Sequence, residues 1–476
     1  MHPFARLLTG GGALVLLLAG CVTADPQAAL PAVQAQVARR AGETLTWLRT
    51  AEDRAHAETA VRELLAADLT PDSAVRIALL NNRALRATLA ELGLSQAGLA
   101  ATTRLANPSF EAGVRWPHDA PRGPNVDFGL TVPLLETLLL PVRRGIAETE
   151  LLQTQHRVSH EVLALVAAVR SAALEVQAQQ ELHERLTVIA AVNDAAADLA
   201  GRQFEAGNIP RRELVEIQSA AQEAQVRLVR AAAETSAARE ALNRLLNLPG
   251  GQTSWKLPGP LPALPVADDL PHDLESTALE SRLDLAALRA QVEIARRQLE
   301  LKRRTRLLPG GSEAGINVER DHDGAKSSGP HLAVELPLFD QGQPELARLT
   351  AQLAQATDLA DALASDIGSE VRAARDRLGA ARKAAEFYQQ TLLPQRRTLL
   401  RETLLQYNAM QVSTHVLLAA KEQQQFAERE AIEAVRDYWL ARTELERALG
   451  QRLPADAAAL AEKPTQPPEH STHSNH

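Results

Sequence analysis

The chain has 476 residues, of which only 3% are aromatic, and alanine and leucine are its commonest residues. Its length suffices for about two or three ordinary domains, and the scarcity of aromatic side chains favours long helices over a large aromatic core. The net charge of −8 comes from acidic and basic residues that alternate along the chain, so no basic face points to nucleic acid.

The N-terminus has the features of a secretory signal over residues 1–20. Arg6 precedes a short apolar run, and small residues come before Cys21, which is the only cysteine and therefore excludes an intramolecular disulfide. Leu18-Ala19-Gly20-Cys21 resembles a bacterial lipobox, which implies cleavage before Cys21 and acylation (palmitate) at that residue. The alternative is an ordinary signal peptide with an incidental cysteine. Val22 follows the cysteine, where an aspartate would signal inner-membrane retention, so the resemblance implies the outer membrane.

A lead-in at 21–69 has a weak helical pattern, and a helix is then predicted from Thr70 to about Thr103. Asn107-Pro108 ends that helix, because proline cannot continue it and restricts the residue before it. Two runs of alternating apolar residues follow, separated by a polar loop at 117–124. They contain Phe110, Ala112, Val114 and Trp116, then Val126, Phe128, Leu130 and Val132. Each run is about 9–11 residues long, which lets a tilted strand span a bilayer; a hairpin facing solvent is the alternative.

A long helix is predicted next, from Pro141 to about Gly201. A tight turn follows over 204–210, in which Gly207 can take a positive φ. A shorter helix then runs from Arg211 to Leu246, and residues 250–270, rich in proline and glycine, form the predicted linker.

The second half, 271–450, repeats the elements of the first half, 70–249. A helix over 274–306 precedes two alternating runs, then come a long helix and a turn over 407–413, and a last helix ends near Leu449. The alternating runs, separated by a loop at 321–330, contain Ala314, Ile316 and Val318, then Leu332, Val334 and Leu336. Proline and turn motifs recur at nearly the same offset, which indicates an internal duplication.

The long helix of the second half, from Pro344 to Tyr407, carries apolar or small residues at steps of three and four. This pattern predicts a coiled-coil seam. The seam consists of Leu346, Leu349, Leu353, Ala356, Ala360, Leu363, Ile367, Val371, Ala374, Leu378 and Ala381. A helix of this length would be about 95 Å long. One chain thus offers long rods and four strands, and because four strands cannot close a barrel in lipid, a membrane role requires several copies.

Several motifs together resemble the TolC-like outer-membrane efflux channels over about residues 70 to 450. They are Asn107-Pro108, the stretch Glu335 to Gly342, Leu392-Leu393-Pro394, and the two turns Arg202 to Gly207 and Gln406 to Met410. The resemblance implies a mainly α fold with a small β part, duplicated as a strand pair plus long helical hairpins. In a homotrimer the strands would form a twelve-stranded β-barrel on a barrel of twelve helical rods.

The same resemblance implies a function without enzyme activity or cofactor. The protein would be a passive conduit for drugs or metal ions across the periplasm and outer membrane. A periplasmic adaptor (membrane fusion) protein and an inner-membrane pump would be its partners, and outer-membrane lipid would surround the barrel. The alternative is a periplasmic coiled-coil structural or adaptor lipoprotein.

The resemblance also places the two turns at periplasmic tips that contact the adaptor. The candidate tip residues are Phe204, Gly207, Glu213, Tyr407 and Met410. Met410 stands where the family has glycine, and its flexible apolar side chain suits an adaptable contact surface; local packing is the alternative. Val412, Val416 and Ala419 replace an arginine and two acidic residues that close or line the tip in some members.

Histidines supply weak candidates for metal binding, and no metal, cofactor or catalytic site is predicted. His156 and His160 have the i, i+4 spacing of a zinc pair, but no third ligand lies nearby in sequence, which favours a solvated helix face. His118-Asp119 and Asp321-His322-Asp323 fall in the predicted loops. The tail over 451–476, predicted to be disordered, holds His470, His473 and His476, the weak candidates for copper or zinc.

Overall fold

The computed structural model describes residues 25–116, 118, 123–308, 311–334 and 337–453. The lipobox cysteine Cys21 and the three tail histidines lie outside the described residues. The chain forms two compact units, each of which combines segments from both halves. The first contains Ala87–Ser159 and Asp284–Ala362, and the second contains Gln36–Arg86, His160–Leu283 and the chain from Leu363 onward.

The chain is mainly helical with a small β part, as the sequence predicts. The helices are α1 (Leu30–Ala41), α2 (Ala51–Ala66), α3 (Pro71–Asn81), α4 (Arg83–Thr102), α5 (Leu134–Leu138), α6 (Leu140–Glu205), α7 (Arg211–Leu246), α8 (Leu274–Ser281), α9 (Leu283–Thr305), α10 (Gln343–Phe387), α11 (Leu393–Asn408) and α12 (Thr414–Leu449). The strands are β1 (Ser109–Arg115), β2 (Asn125–Pro133), β3 (Glu313–Arg320) and β4 (Lys326–Ala333). Among the described residues, none of these helices combines the length and apolarity needed to cross a membrane.

The sequence predicts one continuous helix before the first strand of each half, and this is wrong in both halves. The first is interrupted at Asn82, between α3 and α4, and the second at Arg282, between α8 and α9. Both residues are extended, with ψ values of 118° and 121°, while their N–H groups still donate to the carbonyls of Ala78 and Ala278. The break therefore recurs at the same place in both halves.

Contacts with residues distant in sequence accompany each break. The Asn82 side chain donates from Nδ2 to the Leu245 carbonyl at 2.8 Å, and its Oδ1 accepts from the Leu85 N–H at 3.0 Å. Arg282 donates from Nη1 to Oε2 of Glu370 at 2.5 Å. Neither position is a glycine or proline, so no local signal marks the interruption.

The long helix of the second half, which comprises α10 and α11, is not α-helical throughout. Between α10 and α11 it contains one π-helical segment, Tyr388–Leu392, in which the Leu393 N–H donates to the Tyr388 carbonyl. Pro394 follows directly and has no N–H to continue the α-helical pattern. π-Helices are rare and occur mostly as single turns inside α-helices, as this segment does.

The seam predicted along this helix is confirmed by burial. Its members at Leu349, Ile367, Val371, Ala374 and Leu378 are at most 3% exposed, and the remaining seam positions are buried or half-buried. Side chains at alternating three- and four-residue steps lie on one face of the helix, and that face packs against neighbouring helices.

The linker between the halves packs against helices of the second unit. Trp255 and Leu257 are buried, and the Trp255 indole N–H donates to Oδ1 of Asn243 at 2.8 Å. Further along, Nε2 of Gln177 in α6 lies within hydrogen-bond distance of three consecutive carbonyls, with that of Pro260 at 2.8 Å. The linker is thus bound along its length, although its composition is that of a loop.

Candidate functional site

The four strands form one antiparallel sheet in the order β1-β2-β3-β4, within the first unit. The register places Phe110 opposite Leu130, Leu130 opposite Ile316, and Ile316 opposite Pro330. Because alternate residues of a strand point to opposite faces, these four share one face. The alternation read from the sequence therefore becomes a sheet with two chemically different faces.

One prediction about the sheet is wrong, namely the loop over 321–330. The described turn is shorter, and β4 already begins at Lys326 and includes Pro330. Within the described chain β4 pairs only with β3, so it is an edge strand. Proline is tolerated there because an edge strand has one row of N–H groups that no neighbour requires.

The first face of the sheet is apolar and exposed. Ten of its large side chains are between 43% and 71% exposed. They are Phe110, Val114, Trp116, Phe128, Leu130, Val132, Ile316, Val318, Leu332 and Val334. Phe110 and Phe128 stack with their ring centroids 6.1 Å apart. A contiguous exposed apolar face of this kind marks a surface that an apolar partner covers.

The second face is polar, and glycines make room on it for the polar side chains. Gly113 lies opposite Asp127, and a Cβ at Gly113 would stand 2.6 Å from the Asp127 carboxylate oxygens. Gly129 lies opposite Asn317, whose Oδ1 would be 2.9 Å from a Cβ at Gly129. The absence of a side chain at these two positions lets the carboxylate and the amide lie across the neighbouring strand.

The polar face carries more negative than positive charge. Its carboxylates are Glu111, Asp127, Glu313 and Glu319. Among the described strand residues of this face, Arg115 is the only arginine. Its Nη2 lies 3.1 Å from Oδ1 of Asp127 and 3.9 Å from Oε1 of Glu319. Both edges of the sheet, the outer sides of β1 and β4, lack a strand neighbour within the described chain.

The two predicted turns lie in the second unit and have the same hydrogen-bond pattern. At the first, the Gly207 N–H donates to the Phe204 carbonyl at 2.9 Å, and the Asn208 N–H donates to the Gln203 carbonyl at 2.8 Å. This pair of bonds closes a helix end whose turn residue is left-handed, and Gly207 has a φ of +76°. Glycine adopts that conformation without steric cost.

The second turn repeats this geometry without glycine. The Met410 N–H donates to the Tyr407 carbonyl at 2.9 Å, and the Gln411 N–H donates to the Gln406 carbonyl at 2.9 Å. Met410 has a φ of +58°, and its side chain is 94% exposed. A methionine therefore occupies a strained backbone position and presents its apolar side chain to the outside.

The other candidate tip residues lie near these turns. Phe204 is 39% exposed, whereas Tyr407 is half-buried. Glu213 lines a groove of about 230 Å³ between α6, α7 and α12, together with His415 and Lys421. The structure thus brings Glu213 close to residues that follow the second turn.

The residues that depart from the family's pattern lie on α12 or just before it. Val412 is half-buried, Val416 is 44% exposed, and Ala419 lines the same groove as Glu213. No carboxylate or guanidinium stands at these three positions, whereas the resemblance would predict charged residues there.

The described histidine candidates do not form a metal site. Within the described ranges, no group of three or more His, Cys, Asp or Glu side chains is arranged to hold a metal ion. The loop residues Asp321 and Asp323 instead build the β3–β4 turn: the Asp321 N–H donates to the Ala325 carbonyl, and the Ala325 N–H donates to Oδ1 of Asp323, each at 2.9 Å.

Sequence reasoning missed one buried ionic cluster in the second unit. Asp268 of the linker accepts from the Tyr438 hydroxyl at 2.6 Å, from Nη1 of Arg442 at 2.7 Å and from Nη1 of Arg382 at 3.0 Å. Burial and the hydrogen bond to Asp268 raise the pKa of Tyr438 to about 12. The only signal in the sequence is a pair of aspartates, Asp268 and Asp269, within a linker whose one other charged residue is Lys256.

Comparison with known proteins identifies the fold. No family model and no curated protein sequence matches the chain. The solved structure of CusC, described in terms of folding and transmembrane channel formation, is 16% identical and covers 81% of this chain and 92% of its own, with a TM-score of 0.67.

Two further channels match to a similar degree. The Campylobacter jejuni CmeC outer membrane channel is 14% identical and covers 86% of this chain and 90% of its own, with a TM-score of 0.63. The Neisseria gonorrhoeae MtrE outer membrane channel, in its open state, is 17% identical and covers 83% and 90%, with a TM-score of 0.63. The chain has the fold of the TolC-like outer-membrane channels, as its motifs predict.

Proposed function

We propose that the protein is the outer-membrane channel of a tripartite efflux system, a passive conduit for drugs or metal ions. The observation that carries this proposal is the sheet, which has one apolar and exposed face, one polar face and two edges without a strand neighbour in the described chain. Strands that face solvent on both sides are not expected to expose ten large apolar side chains. A wall between lipid and water requires this division of faces.

Assembly follows from the edges of the sheet. Each backbone N–H or C=O group that remains unpaired in hydrocarbon costs several kcal/mol. A few such groups therefore cost as much as the free energy of unfolding of a typical domain. Copies of the chain therefore join edge to edge until the sheet closes. We propose a homotrimer, in which twelve strands form the barrel and the long helical hairpins form a tunnel of twelve rods.

The two turns supply the proposed contact with the periplasmic adaptor, which in turn binds the inner-membrane pump. Their shared cap geometry presents Phe204 and Met410 at corresponding ends of two helical hairpins. An exposed methionine suits a surface that must adapt to a partner, because its side chain is flexible and polarizable. Glu213 and Tyr407 complete the proposed tip set.

The N-terminal lead-in supplies the proposed lipid anchor. Removal of residues 1–20 would leave Cys21 at the N-terminus, acylated and inserted in the outer membrane. The substitution Cys21→Ser should abolish incorporation of labelled palmitate into the protein in cells. Retained labelling of the serine variant would contradict the anchor without affecting the channel proposal.

Conductance in planar bilayers tests the channel itself, and two neighbouring residues of β3 supply a matched pair of variants. Ile316→Arg places a charge on the apolar face, where it costs about 2–4 kcal/mol at the bilayer midplane. Asn317→Arg places the same charge on the polar face. We expect pores from the wild type and from Asn317→Arg, and a severe loss of insertion for Ile316→Arg.

The alternative, a periplasmic coiled-coil structural or adaptor lipoprotein, predicts a different result. Its strands would be soluble hairpins, so purified protein would form no pores and Ile316→Arg would be harmless. Protease would also cut the strand segments in outer-membrane vesicles, whereas strands embedded in a bilayer are protected.

A further inference from the structure

Four connecting segments meet the sheet at one end, all within the first unit. Pro133, the last residue of β2, lies opposite Glu313, the first residue of β3, and Glu313 lies opposite Ala333 of β4. The start of β1 belongs to the same end, because Ser109 lies opposite Thr131. The segments over 102–108, 134–144, 302–308 and 337–344 therefore converge there.

These segments expose large apolar side chains. Phe339 is 98% exposed, and six others are between 47% and 69% exposed. The six are Leu105, Leu138, Val142, Leu307, Leu308 and Leu338. They continue the exposed apolar surface beyond the strands, where the chain has already become helical or irregular.

The same segments are rich in positive charge. They hold seven basic residues and two acidic ones. We call the seven the basic collar: Arg104, Arg143, Arg144, Lys302, Arg303, Arg304 and Arg306. The whole chain has the opposite sign, with a net charge of −8, so the collar is a local concentration of charge.

Three collar arginines form ion pairs within the protein and remain exposed. Arg143 lies 3.8 Å from Glu136, Arg144 donates to Glu148 at 2.8 Å, and Arg304 pairs with Glu300. All three arginines remain at least 44% exposed. Exposed pairs of this kind contribute little and leave the guanidinium groups accessible to a second anion.

The collar is held in place by backbone geometry. Gly342, at the start of α10, has a φ of +78°, and a Cβ there would approach the Lys302 side chain to 2.9 Å. Arg306 lies beside the same glycine, with its Cβ 3.6 Å from that position. The end of α9 and the start of α10 therefore pack closely, which fixes Lys302 and Arg306 at the end of the sheet.

We propose that the basic collar binds the anionic headgroups of phospholipids in the leaflet next to the helices. This inference rests on the proposed membrane insertion of the sheet. In a bilayer the acyl chains lie directly beneath the phosphates of the headgroups. The exposed leucines would contact the acyl chains, and the neighbouring arginines would contact the phosphates. Arginine side chains extend toward the headgroups while their stems cover apolar surface.

The pairing of apolar and basic residues favours a lipid surface over an acidic protein. A protein partner would need a complementary patch that surrounds the whole end of the sheet, whereas a bilayer surrounds it by necessity. Leu134, which directly follows β2, donates its N–H to the Ser312 carbonyl at 3.0 Å, so the apolar face and the collar adjoin without an intervening polar loop.

Lipid selectivity in reconstituted membranes tests the proposal. Full-length protein is placed in phosphatidylcholine vesicles that contain spin-labelled phosphatidylglycerol or spin-labelled phosphatidylcholine, and the motionally restricted fraction of each label is measured. We expect a preference for phosphatidylglycerol that weakens in high salt. The triple variant Arg303→Gln, Arg304→Gln, Arg306→Gln should reduce that preference at least about twofold.

A matched control separates the collar from total charge. The variant Arg202→Gln, Arg211→Gln, Arg212→Gln removes the same charge near the first turn and should leave the lipid preference unchanged. An unchanged preference in the collar variant, or an equal loss in the control, overturns the inference. If neither label is restricted, the protein is not in the bilayer, which overturns the proposed channel and the collar together.

Discussion

Gly207 and Met410 occupy equivalent positions in the two helical turns, and both have left-handed backbones, with φ values of +76° and +58°. Each donates its N–H to the carbonyl three residues earlier, at 2.9 Å in both cases. The two turns therefore share one geometry although their residues differ, as the predicted internal duplication would produce. At one turn the backbone is relaxed, and at the other a side chain is retained at the cost of strain.

Removing that side chain should stabilise the second turn. A left-handed backbone costs about 1–2 kcal/mol for a residue with a Cβ, so Met410→Gly should recover on the order of 1 kcal/mol. Hydrogen exchange of the last amides of α11 reports the local opening and should slow. Gly207→Met is the matched control and should accelerate exchange at the end of α6. Faster exchange in Met410→Gly would contradict the strain.

The proposed adaptor contact predicts the opposite effect of the same substitution on binding. If Met410 is retained for binding, Met410→Gly should weaken association with the cognate adaptor while the turn becomes more stable. Surface plasmon resonance with immobilised channel measures this. Unchanged affinity would assign Met410 to local structure and remove it from the tip set.

Gly207→Pro tests the first turn more severely. Proline lacks the N–H that Gly207 donates to Phe204 and fixes φ near −65°, so the cap cannot form. We expect weaker docking of the proposed adaptor and reduced drug or metal resistance in cells, with the proposed trimer intact on native gels. Full resistance in cells that carry this variant would argue against the tip assignment.

The spacing of apolar residues in the sequence predicts the parts of the fold that depend on residues near each other in the chain. Alternation at Phe110, Val114 and Phe128 places the strands, and three- and four-residue steps place the seam that includes Ile367 and Val371. Gly207 also marks its turn directly. These features follow from side-chain direction in a strand or helix and need no knowledge of distant residues.

The remaining features depend on contacts that are remote in sequence. The helix breaks at Asn82 and Arg282 involve hydrogen bonds to Leu245 and Glu370, which no local pattern reveals. Asp268 meets partners more than a hundred residues away. The sequence predicts a loop at Pro330, because its position on an edge strand depends on the pairing of the whole sheet.

The Asp268 cluster should contribute strongly to stability. The substitution Asp268→Asn removes the charge that three groups share. Arg382 keeps Glu386 at 2.8 Å and Arg442 keeps Glu446 at 3.9 Å, so the loss should not exceed the about 3–5 kcal/mol typical of breaking a buried ion pair. Thermal unfolding followed by circular dichroism measures the loss. Asp269→Asn, one residue along the linker, is the matched control and should have little effect.

Tyr438 gives this cluster a predictable dependence on pH. Its pKa rises from 10.0 to about 12 on folding, mainly because burial disfavours the phenolate. The folded state therefore holds this proton where the unfolded state has lost it, and its stabilising effect is complete below pH 10 and is lost as the pH rises towards 12. Tyr438→Phe should lose less stability over that interval, and equal slopes for both proteins would contradict the assignment.

The charges on the polar face of the sheet predict the ion selectivity of the proposed channel. Four carboxylates stand against Arg115 on the described part of that face, and in a closed barrel they would face the water-filled interior, where they attract cations. The double variant Asp127→Asn, Glu319→Gln should shift the reversal potential in a salt gradient toward weaker cation preference, and Arg115→Gln should shift it the other way. Glu63→Gln removes one charge from α2, outside the sheet, and serves as the control. If none of the three sheet substitutions changes the reversal potential, ion selection lies elsewhere in the proposed tunnel. Conduction itself would still show that the barrel had formed.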